Sequence, residues 1–109
     1  MAQQIISLSP TRQILTRLYD VPVGISGVAG QVLVANRGGG TLPDVVSVAI
    51  TTGSDAVDLS NYIAFETPME YHGILQLQNV NLSPGQKIFV WCFAGFCSFT
   101  YTWSTYEIS

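Results

Sequence analysis

The side chains able to do chemistry are few and scattered. There is one imidazole, His72, with two thiols, Cys92 and Cys97, and seven carboxylates: Asp20, Asp44, Asp55, Asp58, Glu66, Glu70 and Glu107. Two carboxylates flanking a bond can cleave it by acid–base catalysis, and a fold could bring any two of these together. Most of them, however, stand at the ends of strand-like runs or in turn-like segments, where solvated charge is the common outcome. Asp55 and Asp58 are near enough in sequence to share a calcium ion, yet their spacing matches no calcium-loop pattern. His72, between Tyr71 and Gly73, reads as an exposed residue at a strand start. No Ser-His-Asp or Cys-His order stands out, and one histidine with two cysteines cannot complete a four-ligand zinc site. The stretch Arg37-Gly38-Gly39-Gly40 lacks the helix N-terminus and lysine of a phosphate cradle, so it reads as a surface loop. The sequence therefore predicts a noncatalytic chain with no cofactor and no metal.

The strongest pattern lies elsewhere, in residues 87–104. In the run from Cys97 to Ser104, Cys97, Phe99, Tyr101 and Trp103 point one way and Ser98, Thr100, Thr102 and Ser104 the other. That period of two belongs to a strand with one buried and one wet face. In the preceding run Ile88, Val90 and Cys92 alternate with Phe89, Trp91 and Phe93, so both faces are apolar. Such a strand must be covered on both sides, by a second sheet, a neighbouring subunit, or both. If Ala94-Gly95 closes a two-residue hairpin, Cys92 faces Cys97 in a non-hydrogen-bonded pair, close to disulfide geometry. A reducing cytoplasm and the shortness of the loop favour instead two buried thiols that pack as small hydrophobes.

At 109 residues the chain is expected to hold one core. It is 48% hydrophobic but only 10% charged, against roughly 25% in ordinary soluble domains. A monomer normally covers its outside with charge, so the deficit points to other protein covering part of this one, with a secreted or very stable sandwich as the alternative. A net charge of −3, with only Arg12, Arg17, Arg37 and Lys87 basic, gives no basic stripe for nucleic acid. No apolar run approaches the ~20 residues of a spanning helix, so no membrane partner is expected. The opening MAQQIISLSP lacks a basic n-region and an apolar core, and maturation in the cytoplasm is expected.

Along the chain, residues 1–12 read as an extended N-terminal arm that orders on a partner, and residues 13–109 as the folded domain. Strand-like runs cover 13–20, 25–36 (with a bulge or kink expected near Gly27 and Gly30), 44–52, 61–67 and 73–80. Pro68 is expected to stop the run 61–67, and Asp55 to cap a helical turn at 57–60. Seven to eight short strands separated by turns, without a convincing helix, predict an all-β fold. The expected form is a single antiparallel β-sandwich, Ig-like or jelly-roll-like.

Several segments together resemble small β-rich virion proteins of tailed bacteriophages, of the head-decoration or tail-associated kind. These are Leu18-Tyr19-Asp20-Val21-Pro22-Val23-Gly24, Val34-Ala35-Asn36-Arg37-Gly38, Tyr62-Ile63-Ala64-Phe65-Glu66-Thr67-Pro68, Leu82-Ser83-Pro84-Gly85-Gln86-Lys87-Ile88-Phe89-Val90, Ser98-Phe99-Thr100-Tyr101 and Glu107-Ile108. The aromatic end, with both Trp and both Cys, departs from the plainer small-residue pattern of such proteins. The resemblance implies a noncatalytic sandwich, assembled in the bacterial host cytoplasm and present in many copies on the virion. The major capsid protein or other virion subunits are then the expected partners, with a homo-oligomer, a trimer by analogy with a three-fold shell site. Expected contact residues are Ile5, Ile6 and Leu8 on the arm, Phe89, Trp91 and Phe93 on the two-faced strand, and Trp103. A tail or baseplate subunit is one alternative. Another is a carbohydrate-binding or adhesion module in which Trp103 or Tyr106 stacks on a sugar.

Overall fold

Alternation of apolar and polar side chains gives strands with a buried face, and eight strands form among the described residues. A computed structural model of the chain describes residues 3–24, 27–37, 44–54, 57–70 and 73–106. The strands are β1 (Gln3–Leu8), β2 (Thr16–Asp20), β3 (Gly27–Asn36), β4 (Asp44–Thr51), β5 (Tyr62–Met69), β6 (Ile74–Leu77), β7 (Lys87–Cys92) and β8 (Cys97–Tyr106). A 3-10 turn, Leu59–Asn61, precedes β5, and Asn61 Oδ1 accepts the N–H of Asp58 there. Among the described residues no helix is long and apolar enough to cross a membrane.

One sheet runs β1-β8-β3-β6 and the other β2-β7-β4-β5, with every neighbour antiparallel. Apart from β4 and β5, each pair of consecutive strands lies in opposite sheets. The chain thus wraps around its own core, and the resulting order is that of a jelly roll. Val28, Val32 and Val34 of β3 meet Val46 and Val48 of β4 and Ile88 and Val90 of β7 in that core. Cys97, Phe99, Tyr101 and Trp103 of β8 face it as their alternation requires. Each such side chain contributes about 1.5–3 kcal/mol of burial free energy. The Tyr101 hydroxyl donates to the Val80 carbonyl at 2.7 Å, so its one polar atom is satisfied inside. Tyr101 and Trp103 stack at 5.3 Å between centroids, and Tyr19 closes on Trp103 at 4.2 Å.

Four expectations are corrected. The run 87–104 is not a hairpin, because β7 and β8 belong to different sheets. Residues 93–96 cross between them, with Gly95 at φ +82°. Alternation reports which side chain faces the core but not which sheet the strand joins. Second, the segment expected as a free arm is β1, paired with β8 from Gln3↔Ser104 to Leu8↔Phe99. Third, β3 is unbroken through ten register pairs with β8. Gly30 is there for close approach instead. A methyl group on it would meet the Thr102 carbonyl oxygen and, at 2.9 Å, the Trp103 Cβ. Fourth, β5 continues through Pro68, which pairs with Val45; an edge strand tolerates the missing N–H.

Cys92 lies opposite Val46 and Cys97 opposite Asn36. Both thiols are free and fully buried, and the geometry imagined for a cross-strand disulfide does not arise. The Gly-rich stretch 38–40, His72, Asp55, Glu107 and the Tyr106 side chain lie outside what the structure describes.

Candidate interaction surface

The crossover at 93–96 sets the geometry of everything around it. Asp44, at the start of β4, is fully buried and accepts three backbone N–H groups. Its Oδ1 takes those of Val45 at 2.8 Å and Ala94 at 2.7 Å, and its Oδ2 that of Phe96 at 3.0 Å. The Phe93 N–H donates to the Val45 carbonyl at 2.9 Å, and the Arg37 N–H to the Phe96 carbonyl at 2.8 Å. Burial, then the Asp44 carboxylate close by, push the Cys97 thiol up to about 12. Burial is also the first cause of the raised Cys92 thiol, with Asp44 second. Neither sulfur is a nucleophile at neutral pH.

So anchored, β7 turns Ile88, Val90 and Cys92 into the core and Phe89, Trp91 and Phe93 outward. The outward set is graded along the strand. Phe89 is only 6% exposed, Trp91 is half-buried, and Phe93 is 53% exposed. Opposite Phe89 and Trp91 in register stand the small residues Ala49 and Ser47 of β4. Both are buried although they face outward, so rings cover them. The Trp91 and Phe93 centroids lie 6.4 Å apart.

Across the same face, β5 adds Tyr62 and Phe65 in an edge-to-face pair at 4.8 Å. A register break between Val46 and Val48 swings Glu66 to φ +46°, and the Glu66 N–H donates to Ser47 Oγ at 2.9 Å. On the other flank Gln13, at φ +61°, donates its N–H to the Cys92 carbonyl at 2.8 Å. The result is an open depression of about 270 Å³ lined by Leu15, Tyr62, Phe65 and Trp91, with Gln13, Ser47 and Glu66 as its polar groups. The sequence reading did not single out Leu15, Tyr62 or Phe65 as contact residues. The signal was present in Tyr62-Ile63-Ala64-Phe65, a second strand apolar on both faces.

The contact residues expected from sequence separate into three places. Phe89, Trp91 and Phe93 belong to this outer face, though Phe89 is nearly closed over. Trp103, at 6% exposure, is part of the interior stack and offers almost nothing to a partner or a sugar. Ile5, Ile6 and Leu8 sit on β1, at the edge of the opposite sheet. Ile6 and Leu8 oppose Tyr101 and Phe99 and so face inward, whereas Ile5 opposes Thr102 and faces out.

The titratable groups that do meet, Asp44, Cys92 and Cys97, are buried at the crossover and not on this outer face. Among the described residues no three side chains come together that could hold a metal ion, and the ion pair of Arg17 with Asp20, at 3.7 Å, is solvent-exposed. No family model, curated protein or solved structure matches the chain.

Proposed function

We propose that this chain is a noncatalytic structural subunit of a bacteriophage virion, a capsid decoration or cement protein that binds neighbouring shell subunits by burying apolar surface. The observation that carries the reading is the outer face of the β2-β7-β4-β5 sheet. The core closes without Trp91, Phe93, Tyr62, Phe65 and Leu15, and they remain as contiguous aromatic and aliphatic surface. Large aromatic side chains at the centre of a patch are the usual source of contact energy. A charged content of 10% leaves little to keep such a face soluble by itself. Double-sheet jelly rolls serve both capsid and lectin domains, so the fold agrees with the reading without selecting it. Many copies on a particle add avidity, so no single contact has to be strong. A tail or baseplate subunit would use the same face in the same way.

The depression supports a second reading. Trp91 and Tyr62 beside Gln13 and Glu66 combine a stacking surface with hydrogen-bonding groups, as a sugar site requires. Rebinding of purified protein to particles stripped of it, counted by quantitative mass spectrometry, separates the two. Wild type should return at a fixed ratio to the shell protein. Trp91→Ala with Phe93→Ser should weaken binding by tenfold or more, on the scale of about 1–2 kcal/mol for each contact residue. Unchanged rebinding of that variant would defeat the cement reading, and glycan-array capture lost on Trp91→Ala would put the sugar reading in its place.

A further inference from the structure

The two sheets have four edges, and three of them are guarded. β2 carries a bulge between Arg17 and Tyr19, with Arg17 and Asp20 exposed on it. β5 has two register breaks, the left-handed Glu66, and Pro68. β6 is only four residues long. Charge, bulges, proline and shortness are the devices by which sheets avoid pairing with other chains. β1 has none of them. Its sequence, QQIISL, is uncharged and lacks proline, and its six pairs with β8 run without a break. In any strand the backbone groups that do not face one neighbour face the other way, and among the described residues nothing pairs with the outer side of β1.

We propose that β1 pairs antiparallel with β1 of a second copy, joining two four-stranded sheets into one across a two-fold axis. The contact is self-complementary, as an isologous dimer requires. No like charges meet in it, because the strand carries none. Of the registers that keep every inward residue on the inward face, the one centred on the partly exposed Ile6 places Ile6 opposite Ile6 of the second copy, Gln4 opposite Leu8, and Ile5 opposite Ser7. Ile6, inward-facing yet 36% exposed, is then covered by its own counterpart. The trimer expected by analogy would need β1 to meet a different edge of its neighbour, and those edges are guarded. The inference does not depend on what the aromatic face binds.

Sedimentation of the full chain at micromolar concentration should give twice 11.8 kDa. Ile5→Lys with Ser7→Lys sets lysines directly opposite one another twice, on side chains that are exposed in the single copy. That variant should sediment as a monomer with an unchanged circular dichroism spectrum. Ile6→Cys should form a disulfide-linked dimer under mild oxidant, because opposed antiparallel residues lie within bridging distance. Ile5→Cys, which opposes Ser7, should not. A monomeric wild type, a dimer that survives the double lysine change, or crosslinking at position 5 in place of 6 overturns the proposal. Loss of particle rebinding with the dimer intact would remove the cement function and leave this contact standing.

Discussion

At the scale of single residues, the fold puts both thiols and one of the carboxylates, Asp44, out of reach of solvent. Cys97 is buried beside the Asp44 carboxylate, and its thiol titrates near 12 instead of near 9. A folded-state value raised above the unfolded one means that the folded chain holds its proton after the unfolded chain has lost it. The stabilisation is therefore complete below about pH 9 and is lost progressively as pH rises toward about 12. Cys92 and Tyr19, both raised chiefly by burial, act in the same direction. The melting temperature should fall steeply above pH 9, and Cys97→Ala should flatten that fall. A stability curve level from neutral pH into this alkaline range would contradict the buried thiol. Asp44 was visible in the sequence only as one acid among seven. Its role depends on three N–H groups, two of them some fifty positions away, and no local pattern marks such a partner.

At the scale of elements, the faces of the strands were legible and their partners were not. Cys97, Phe99, Tyr101 and Trp103 turned inward as their period demanded, and so did Ile88, Val90 and Cys92. Both are consequences of backbone pleating, which acts over neighbouring residues. Whether Ala94-Gly95 folds β8 back onto β7 or carries it to the other sheet is decided by distant groups: Asp44, Val45 and Arg37. The same blindness made β1 look like a loose arm, since its pairing partner lies at the far end of the chain. Left-handed Gln13 and Glu66 carry no sequence mark either, because glycine or asparagine is the usual signal. The crossover gives a direct test. Asp44→Ala leaves three part-buried N–H groups without their acceptor and should cost about 3 kcal/mol, at roughly 1 kcal/mol for each. Urea denaturation reads this as a lower midpoint. A loss below about 1 kcal/mol would mean that water or other groups satisfy the turn.

At the scale of the whole molecule, a small jelly roll that completes its core still leaves two unfinished surfaces, the aromatic face of one sheet and the β1 edge of the other. They lie on opposite sheets, so the proposed shell contact would use the first and the proposed contact with a second copy the other. An assembled particle is where such a chain would have both surfaces covered. The two-sided strand at 88–93 announced the first surface from sequence. The second emerged only when the edges could be compared.

The most direct test is a cryo-electron map of phage particles assembled in cells that make this chain. The account predicts repeated copies on the particle, with Trp91 and Phe93 seated against shell protein and excluded from solvent. Particles holding the chain with that aromatic face open to water, or holding no copy of it, would contradict the account.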